Sequence, residues 1–319
     1  MKLTVIPGLN NSLANAFWAR ELLRVFEGRS GKIESGKFPE GWPQLRIVNP
    51  EKNITNRDVV FLTDLTNPDE LFSYLAVMYA LPRHSAKTFT AVIPFFPTGT
   101  MERADQSGDI ATAKTLARLL DGIPHSLNGS ARIVVYDIHA SPEQFFFSDN
   151  VQLHLQSALP LITGHLKAEL GMVAYPDEGA YKRFRYQLSK CPAVICEKRR
   201  GEGEQRLVTV KEGNPTGQRV VLIDDLVRSG GTLLGARQAL LNAGAARVDA
   251  FITHSDFAPG KQEWFLRQWG GEDGQLSTLY TTDSCPGASM PMPKPWGEKT
   301  RCVLSLATLL AEYIREIID

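Results

Sequence analysis

Asp224 and Asp225 close an apolar run, Val220–Val221–Leu222–Ile223, and are followed shortly by Ser229–Gly230–Gly231–Thr232. Neighbouring carboxylates at a strand end can accept hydrogen bonds from two vicinal hydroxyls. Two glycines flanked by hydroxyl side chains let the backbone turn tightly and come close to an anion. Leu233, Leu234, Leu240 and Leu241 follow at helical spacing. The glycines therefore open a helix, whose first amides and dipole favour a phosphate. A hydroxyl clamp beside a phosphate cradle fits ribose 5-phosphate. By itself, Ser-Gly-Gly-Thr is also an ordinary strand-to-helix hinge; the strand and the two acids before it give it a binding role.

Three further groups of residues could act beside that site. His139 follows the strand candidate Ile133–Tyr136 in Asp137–Ile138–His139–Ala140. A lone His at a strand end is often a core residue satisfied by backbone, so its setting has to decide. Asp177 follows Met172–Tyr175 in Tyr175–Pro176–Asp177–Glu178–Gly179–Ala180, which puts a carboxylate just past another strand end. An Asx-type turn would use the same residue. Lys198, Arg199 and Arg200 run into Gly201–Glu202–Gly203–Glu204, a composition normal for a solvated hairpin tip.

These residues need a scaffold, and the chain supplies one of alternating short apolar strands and helical patterns. Strands are predicted at Leu3–Ile6, Val59–Leu62, Thr90–Pro94, Ile133–Tyr136, Met172–Tyr175, Ala193–Cys196, Val220–Ile223, Val248–Ile252 and Leu279–Thr281. Four aliphatic residues in a row, as in Val220–Ile223, suit a parallel strand buried on both faces. The acids would then lie at the carboxyl end of the sheet, where open α/β folds bind ligands. Asn67–Pro68–Asp69–Glu70 offers a cap, a first-turn proline and two acids, a helix start. A long helical region from about Val151 to Glu169 divides the chain into two α/β halves, 1–158 and 159–304. Leu306, Leu309, Leu310, Tyr313, Ile314 and Ile317 form one stripe, so the helix 305–319 should dock, and the first half is its expected partner. Pro286–Gly297 reads as a surface loop.

Composition bounds the function classes. The 319 residues suffice for two ordinary domains, and 43% hydrophobic with 22% charged residues is globular. Lys plus Arg equals Asp plus Glu at 35 each, so no overall field points to a nucleic acid or a membrane. Met1–Pro7 is too short for a signal peptide and reads as a first strand. Cys191, Cys196, Cys285 and Cys302 show neither metal-ligand spacing nor a secreted disulfide pattern, so reduced thiols and a cytoplasmic location are expected.

The Asp224–Thr232 segment resembles the ribose-phosphate loop of type I phosphoribosyltransferases and of the ribose-phosphate diphosphokinases, the phosphoribosyl-pyrophosphate synthetases. Other segments choose the second group. Phe95–Phe96–Pro97–Thr98–Gly99–Thr100–Met101–Glu102–Arg103 resembles its nucleotide loop, with Glu102 and Arg103 at matching places. The commoner form of that loop carries an Arg-Gln pair where Thr100 and Met101 stand, which removes directional readout of the base. It is similar instead to the plant-type second class, which the resemblance implies to be less dependent on free phosphate and to accept several nucleoside triphosphates. The Asp-x-His-Ala run implies that His139 stands beside the Mg²⁺-bound triphosphate. The Pro-Asp-x-Gly element implies that Asp177 helps hold Mg²⁺. The Lys-Arg-Arg run implies that Lys198 and Arg200 stabilise charge on the transferred group. Phe38–Pro39–Glu40–Gly41–Trp42 loosely resembles a nucleotide contact, Phe38 stacking on the base beside Glu40, on a loop reaching a neighbouring subunit.

The resemblance spans essentially the whole chain, in family order. It implies two tandem type I phosphoribosyltransferase-like α/β domains with mainly parallel sheets, the first on the nucleotide side and the second binding ribose phosphate. The implied reaction moves the diphosphoryl group of ATP, or another nucleoside triphosphate, to the anomeric hydroxyl of ribose 5-phosphate in a homo-oligomer. Asp224, Asp225, Ser229, Gly230, Gly231 and Thr232 would hold the acceptor. Three alternatives stay open: a phosphoribosyltransferase, a non-catalytic regulatory relative, and the same chemistry on a larger acceptor such as ADP-ribose. The last is prompted by Arg228, which adds a cation beside the phosphate loop.

Overall fold

The computed structural model describes residues 2–9, 13–200, 206–270, 277–286 and 301–318, with the side chains of 13–14, 199–200 and 206–207 outside that description. The chain divides into two compact units, Met1–Ser157 with Leu306–Asp319, and Ala158–Ser305.

The first unit runs β1 (Leu3–Ile6), α1 (Leu13–Val25), β2 (Gly28–Ser30), β3 (Ile33–Lys37), β4 (Pro43–Ile47), α2 (Pro50–Asn53), β5 (Asp58–Leu62), α3 (Leu71–Arg83), β6 (Thr88–Ile93), α4 (Thr112–Asp121), β7 (Ala131–Tyr136) and β8 (Val151–Gln156). Six strands form one sheet in the order β2-β1-β5-β6-β7-β8, every pair parallel, while β3 and β4 make a separate antiparallel ribbon. β5 and β6 carry five consecutive fully buried residues each, as strands covered on both faces must. Val59, Phe61, Phe89, Ala91, Ile133 and Val135 alternate onto one face, where Val77, Met78 and Leu81 of α3 and Leu116 and Leu120 of α4 meet them. Asn67 accepts a hydrogen bond from the Asp69 amide at 3.1 Å and leads through a short turn into α3.

The second unit runs α5 (Leu159–Leu166), β9 (Met172–Tyr175), α6 (Glu178–Phe184), β10 (Ala193–Arg200), β11 (Arg206–Glu212), β12 (Arg219–Val227), α7 (Gly231–Asn242), β13 (Arg247–Ser255), α8 (Lys261–Gly270), β14 (Leu279–Thr282) and β15 (Arg301–Leu304). Its sheet orders β11-β10-β9-β12-β13-β14-β15, parallel throughout except for the edge hairpin β10–β11. From β9 the chain winds outward to β10, then returns to lay β12 on β9's other side. The crevice between the carboxyl ends of β9 and β12 is therefore the switch point, where such sheets bind ligands. The last helix, α9 (Ala307–Ile318), belongs to the first unit and packs on α1, with Leu306, Leu310 and Ile314 fully buried.

One expectation is overturned. Val151–Gln156 is not the start of a long helix but β8, parallel to β7 at the sheet edge, and helix begins only at Leu159, as α5 and then a 3-10 turn over Lys167–Leu170. Val151, Leu153 and Leu155 alternate with Gln152, His154 and Gln156, a period of two that pairs with β7. Of the stretch Pro286–Gly297, residues 287–297 lie outside the described residues. All four cysteines are free thiols, and burial pushes the Cys196 thiol up to about 11. Among the described residues no helix is long and apolar enough to cross a membrane.

Candidate active site

Strand β12 carries Asp224 and Asp225 at the switch point, beside Asp177 at the end of β9. Asp225 is 3% exposed, a degree of burial that a carboxylate tolerates only when paired. Its partner is the Arg183 guanidinium of α6, which hydrogen-bonds Asp225 Oδ1 and lies 4.0 Å from Asp224 Oδ1. One cation does not neutralise the group. Desolvation, then the Asp225 charge and hydrogen bond, then Asp177, hold the Asp224 carboxyl well above the usual range, against the lowering pull of Arg183. Among the described residues the site is thus rich in acceptors, a setting suited to sugar hydroxyls or a cation.

The Ser229–Thr232 loop follows directly. Gly230 has φ 79°, and a Cβ there would sit 2.1 Å from Cδ2 of Phe265, so backbone conformation and space both demand glycine. It is the cap residue of α7 and, being glycine, brings no side chain to the first-turn amides. The Ser229 hydroxyl accepts a bond from the Gly231 amide at 3.4 Å, while Gly231 is exposed and Thr232 half-buried. Arg228 does not point to an additional ligand here: its Nε and Nη2 each lie 3.1 Å from Asp256 Oδ2, tying the loop to the end of β13.

Asp177 serves two partners. Its Oδ1 caps α6 by accepting from the Ala180 amide at 3.1 Å, and its Oδ2 accepts from Lys198 Nζ at 3.2 Å. One carboxylate oxygen thus forms the turn at the start of α6 while the other pairs with the lysine. The structure brings Lys198, near the end of β10, to the same strand ends as the acid pair. Arg200 ends β10, and its side chain lies outside the described residues, as does the chain from 201 to 205.

In the first unit, the loops after β6 and β7 pack on each other. A Cβ on Gly99 would lie 3.1 Å from His139 Cβ and 3.4 Å from Glu143 Oε1, and the Phe96 and Phe147 rings lie 6.1 Å apart. His139 is half-buried, after Asp137 in a left-handed conformation at φ 36°. Glu102 and Arg103 pair with each other at 3.2 Å, with Arg103 largely exposed. Phe38 and Glu40 sit on the turn joining β3 and β4, where the Phe38 amide donates to the Trp42 carbonyl at 2.8 Å. Trp42, not Phe38, makes the ring contact there, edge-on to Phe72.

Two residues of these sites were not singled out from the sequence. Arg183 stands six residues after Asp177, between Lys182 and Arg185, and no signal in the sequence picks it out from these neighbours. Glu143 is fully buried and accepts from the Ala140 amide at 2.8 Å, fixing the segment that carries His139. Its place three residues after Ala140 is the position of a helix-capping acid.

No trio of His, Cys, Asp or Glu side chains among the described residues forms a preformed metal cage. The donor set nevertheless fits Mg²⁺. This hard cation takes one or two carboxylates and fills its octahedron with water and substrate oxygens, and Asp224 lies in the field of Asp225 and Asp177.

Residues 10–123 match the family model for the N-terminal domain of ribose phosphate pyrophosphokinase, and residues 180–263 match that of the phosphoribosyl transferase domain. The chain is 41% identical over 283 residues to ribose-phosphate pyrophosphokinase 4 of Arabidopsis thaliana, covering 87% of this chain and 82% of the relative. It is 43% identical over 277 residues to the chloroplastic ribose-phosphate pyrophosphokinase 3 of Oryza sativa subsp. japonica, covering 84% and 67%. The Burkholderia pseudomallei ribose-phosphate pyrophosphokinase is more distant, at 30% over 315 residues with 95% and 92% covered. The crystal structure of phosphoribosylpyrophosphate synthetase from Mycobacterium smegmatis shares the fold, with TM-score 0.77, 23% identity and 99% of both chains covered. With an acid pair and a glycine loop at the switch point, and plant relatives nearer in sequence than this bacterial one, the chain belongs to the ribose-phosphate pyrophosphokinase family of enzymes.

Proposed function

We propose that the protein transfers the diphosphoryl group of ATP, or another nucleoside triphosphate, to the anomeric hydroxyl of ribose 5-phosphate, giving phosphoribosyl pyrophosphate and AMP. The observation that carries this reading is the desolvated Asp224–Asp225 pair directly before the glycine-capped helix start at Gly230–Gly231, where the cap residue has no side chain to occupy the first-turn amides. The pair accepts hydrogen bonds from the 2- and 3-hydroxyls. The Ser229–Thr232 loop takes the 5-phosphate on its amides and hydroxyls. In the first unit, His139, Glu102 and Arg103 bind the nucleotide, with Phe38 and Glu40 as further contacts.

The acceptor oxygen attacks the β-phosphorus, the bond from that phosphorus to the α-phosphate oxygen breaks, and the hydroxyl proton passes to solvent. The residues contribute position and charge rather than covalent chemistry. Lys198 and Arg200 neutralise charge on the transferred group. Asp177 and His139 are the proposed protein ligands for Mg²⁺, and the acid pair is a further carboxylate source. Mg²⁺ when bound neutralises phosphate charge and polarises the phosphoryl oxygens.

A homo-oligomer is part of this reading. Phe38, Trp42 and Phe72 expose 46%, 65% and 58% of their surface, an apolar cluster that a second copy would cover. The cytoplasm is the proposed location. Pure protein incubated with Mg²⁺, ATP and ribose 5-phosphate should form AMP and phosphoribosyl pyrophosphate, resolved by chromatography. AMP release only with ADP-ribose, or none with either acceptor, would overturn the assignment.

A further inference from the structure

Among the described residues of the first unit, Nη1 of Arg132, Nε2 of His154 and Oη of Tyr313 are buried and have no hydrogen-bond partner. They come from three elements, β7, β8 and α9, yet they are neighbours. Val134 of β7 is opposite His154 of β8, and Arg132 is opposite Gln152. Side chains two residues apart share a face of a sheet, so Arg132 and His154 stand diagonally on one face. The Tyr313 ring lies 5.6 Å from the His154 ring. The field of Arg132 reaches both: with burial as the larger cause, it holds His154 below its ordinary pKa. It also opposes the burial that pushes Tyr313 up to about 12.

Leaving a buried donor unpaired is costly, more so when it is charged, and such groups in native proteins are normally met by water, an ion or a ligand. The chemistry of the three narrows the choice. A guanidinium fork and a phenol donate, and a neutral imidazole can donate from Nε2. A cation would be repelled by Arg132. A neutral apolar group would leave the donors unpaired, and a water would not compensate the charge. A tetrahedral oxyanion answers all three, and the guanidinium plane matches it bidentately. Glu316, one turn after Tyr313 on α9, opposes an anion, but its exposure lets solvent screen it. β8 is the edge strand of its sheet, and Arg132 and His154 are only half-buried, which leaves an approach for a small solute.

We infer that Arg132, His154 and Tyr313 form a second anion site, for an oxyanion of the phosphate class, built from residues that the ribose-phosphate loop does not use. The inference does not rest on the reaction proposed above. Inorganic phosphate should be titrated calorimetrically into the wild type, Arg132→Gln and Tyr313→Phe, each with and without excess ribose 5-phosphate. A phosphate site that survives the sugar phosphate is expected, weakened about tenfold or more in Arg132→Gln, where a charged partner is lost, and several-fold in Tyr313→Phe. AMP titrated against bound phosphate separates a free ion from a nucleotide's phosphate: competition that Arg132→Gln abolishes identifies the nucleotide, and its lack identifies the ion. Tyr313→Phe keeps the ring in place, so it decides the matter if Arg132→Gln fails to fold. Absence of phosphate binding in the wild type, or equal binding in all three proteins, would overturn the site. Loss of ribose 5-phosphate binding alone would count against the proposed reaction and leave this comparison intact.

Discussion

Lys198 Nζ donates a hydrogen bond to Asp177 Oδ2 at 3.2 Å, joining a cation near the end of β10 to an acid at the end of β9. The proposed charge-stabilising lysine and the proposed metal ligand thus neutralise each other before substrates arrive. Both side chains are more than a third exposed, so the pair adds little to stability, about 0–1 kcal/mol. Lys198→Ala should therefore leave the melting temperature nearly unchanged. Turnover should fall on the order of a hundredfold, with a smaller change in ribose 5-phosphate affinity. Steady-state kinetics beside a thermal melt check this; unchanged turnover removes Lys198 from the mechanism.

The raised carboxyl of Asp224 makes stability depend on pH. Its native state holds a proton where the unfolded chain has released it, so unfolding free energy declines as pH rises from the ordinary carboxylate range toward the raised native value. Asp224→Asn removes that titration. Its denaturation midpoint should be flatter with pH than the wild type's, and higher at neutral pH. Acceptor binding should move the other way, about ten- to a hundredfold weaker, because a charge-assisted hydrogen bond to the sugar is lost. Urea titrations across pH, with calorimetric binding, test both; a wild-type pH profile in the variant would mean that Asp224 is not the titrating group.

Gly230 and Gly231 should respond differently to alanine. At Gly230 the left-handed φ of 79° and the 2.1 Å approach to the Phe265 ring add together, and Gly230→Ala should destabilise by roughly 2–4 kcal/mol. At Gly231 a Cβ meets only Ser229 Oγ at 3.8 Å, so Gly231→Ala should change stability by less than about 1 kcal/mol. Chemical denaturation of the two variants gives the contrast, and equal losses would refute this account of the loop.

Gly99 presses on His139. A Cβ there would lie 3.1 Å from that of His139, and Glu143 beyond it is fully buried and hydrogen-bonded, so neither neighbour yields easily. Gly99→Ala should raise the KM for the nucleoside triphosphate roughly tenfold by displacing His139, with the KM for ribose 5-phosphate unchanged. A rise in both, or in the ribose 5-phosphate KM alone, would detach His139 from the nucleotide.

The sequence by itself determined what is local. Runs such as Val220–Ile223 specify strands buried on both faces, and the residues that follow them in the chain, Asp177, His139, Asp224 and the Ser229–Thr232 loop, necessarily stand at carboxyl ends of a parallel sheet. Strands with few buried residues stayed hidden: β3 has one buried position in five, and β8 has one in six and runs into α5 closely enough to pass for its first turns. Tertiary structure alone decided which loops meet. Pairing between Arg183 and the acids, Lys198 and Asp177, Gly99 and His139, or Phe265 and Gly230 depends on strand order and helix placement. These are set by burial summed over the whole sheet, and no short stretch of sequence carries that sum.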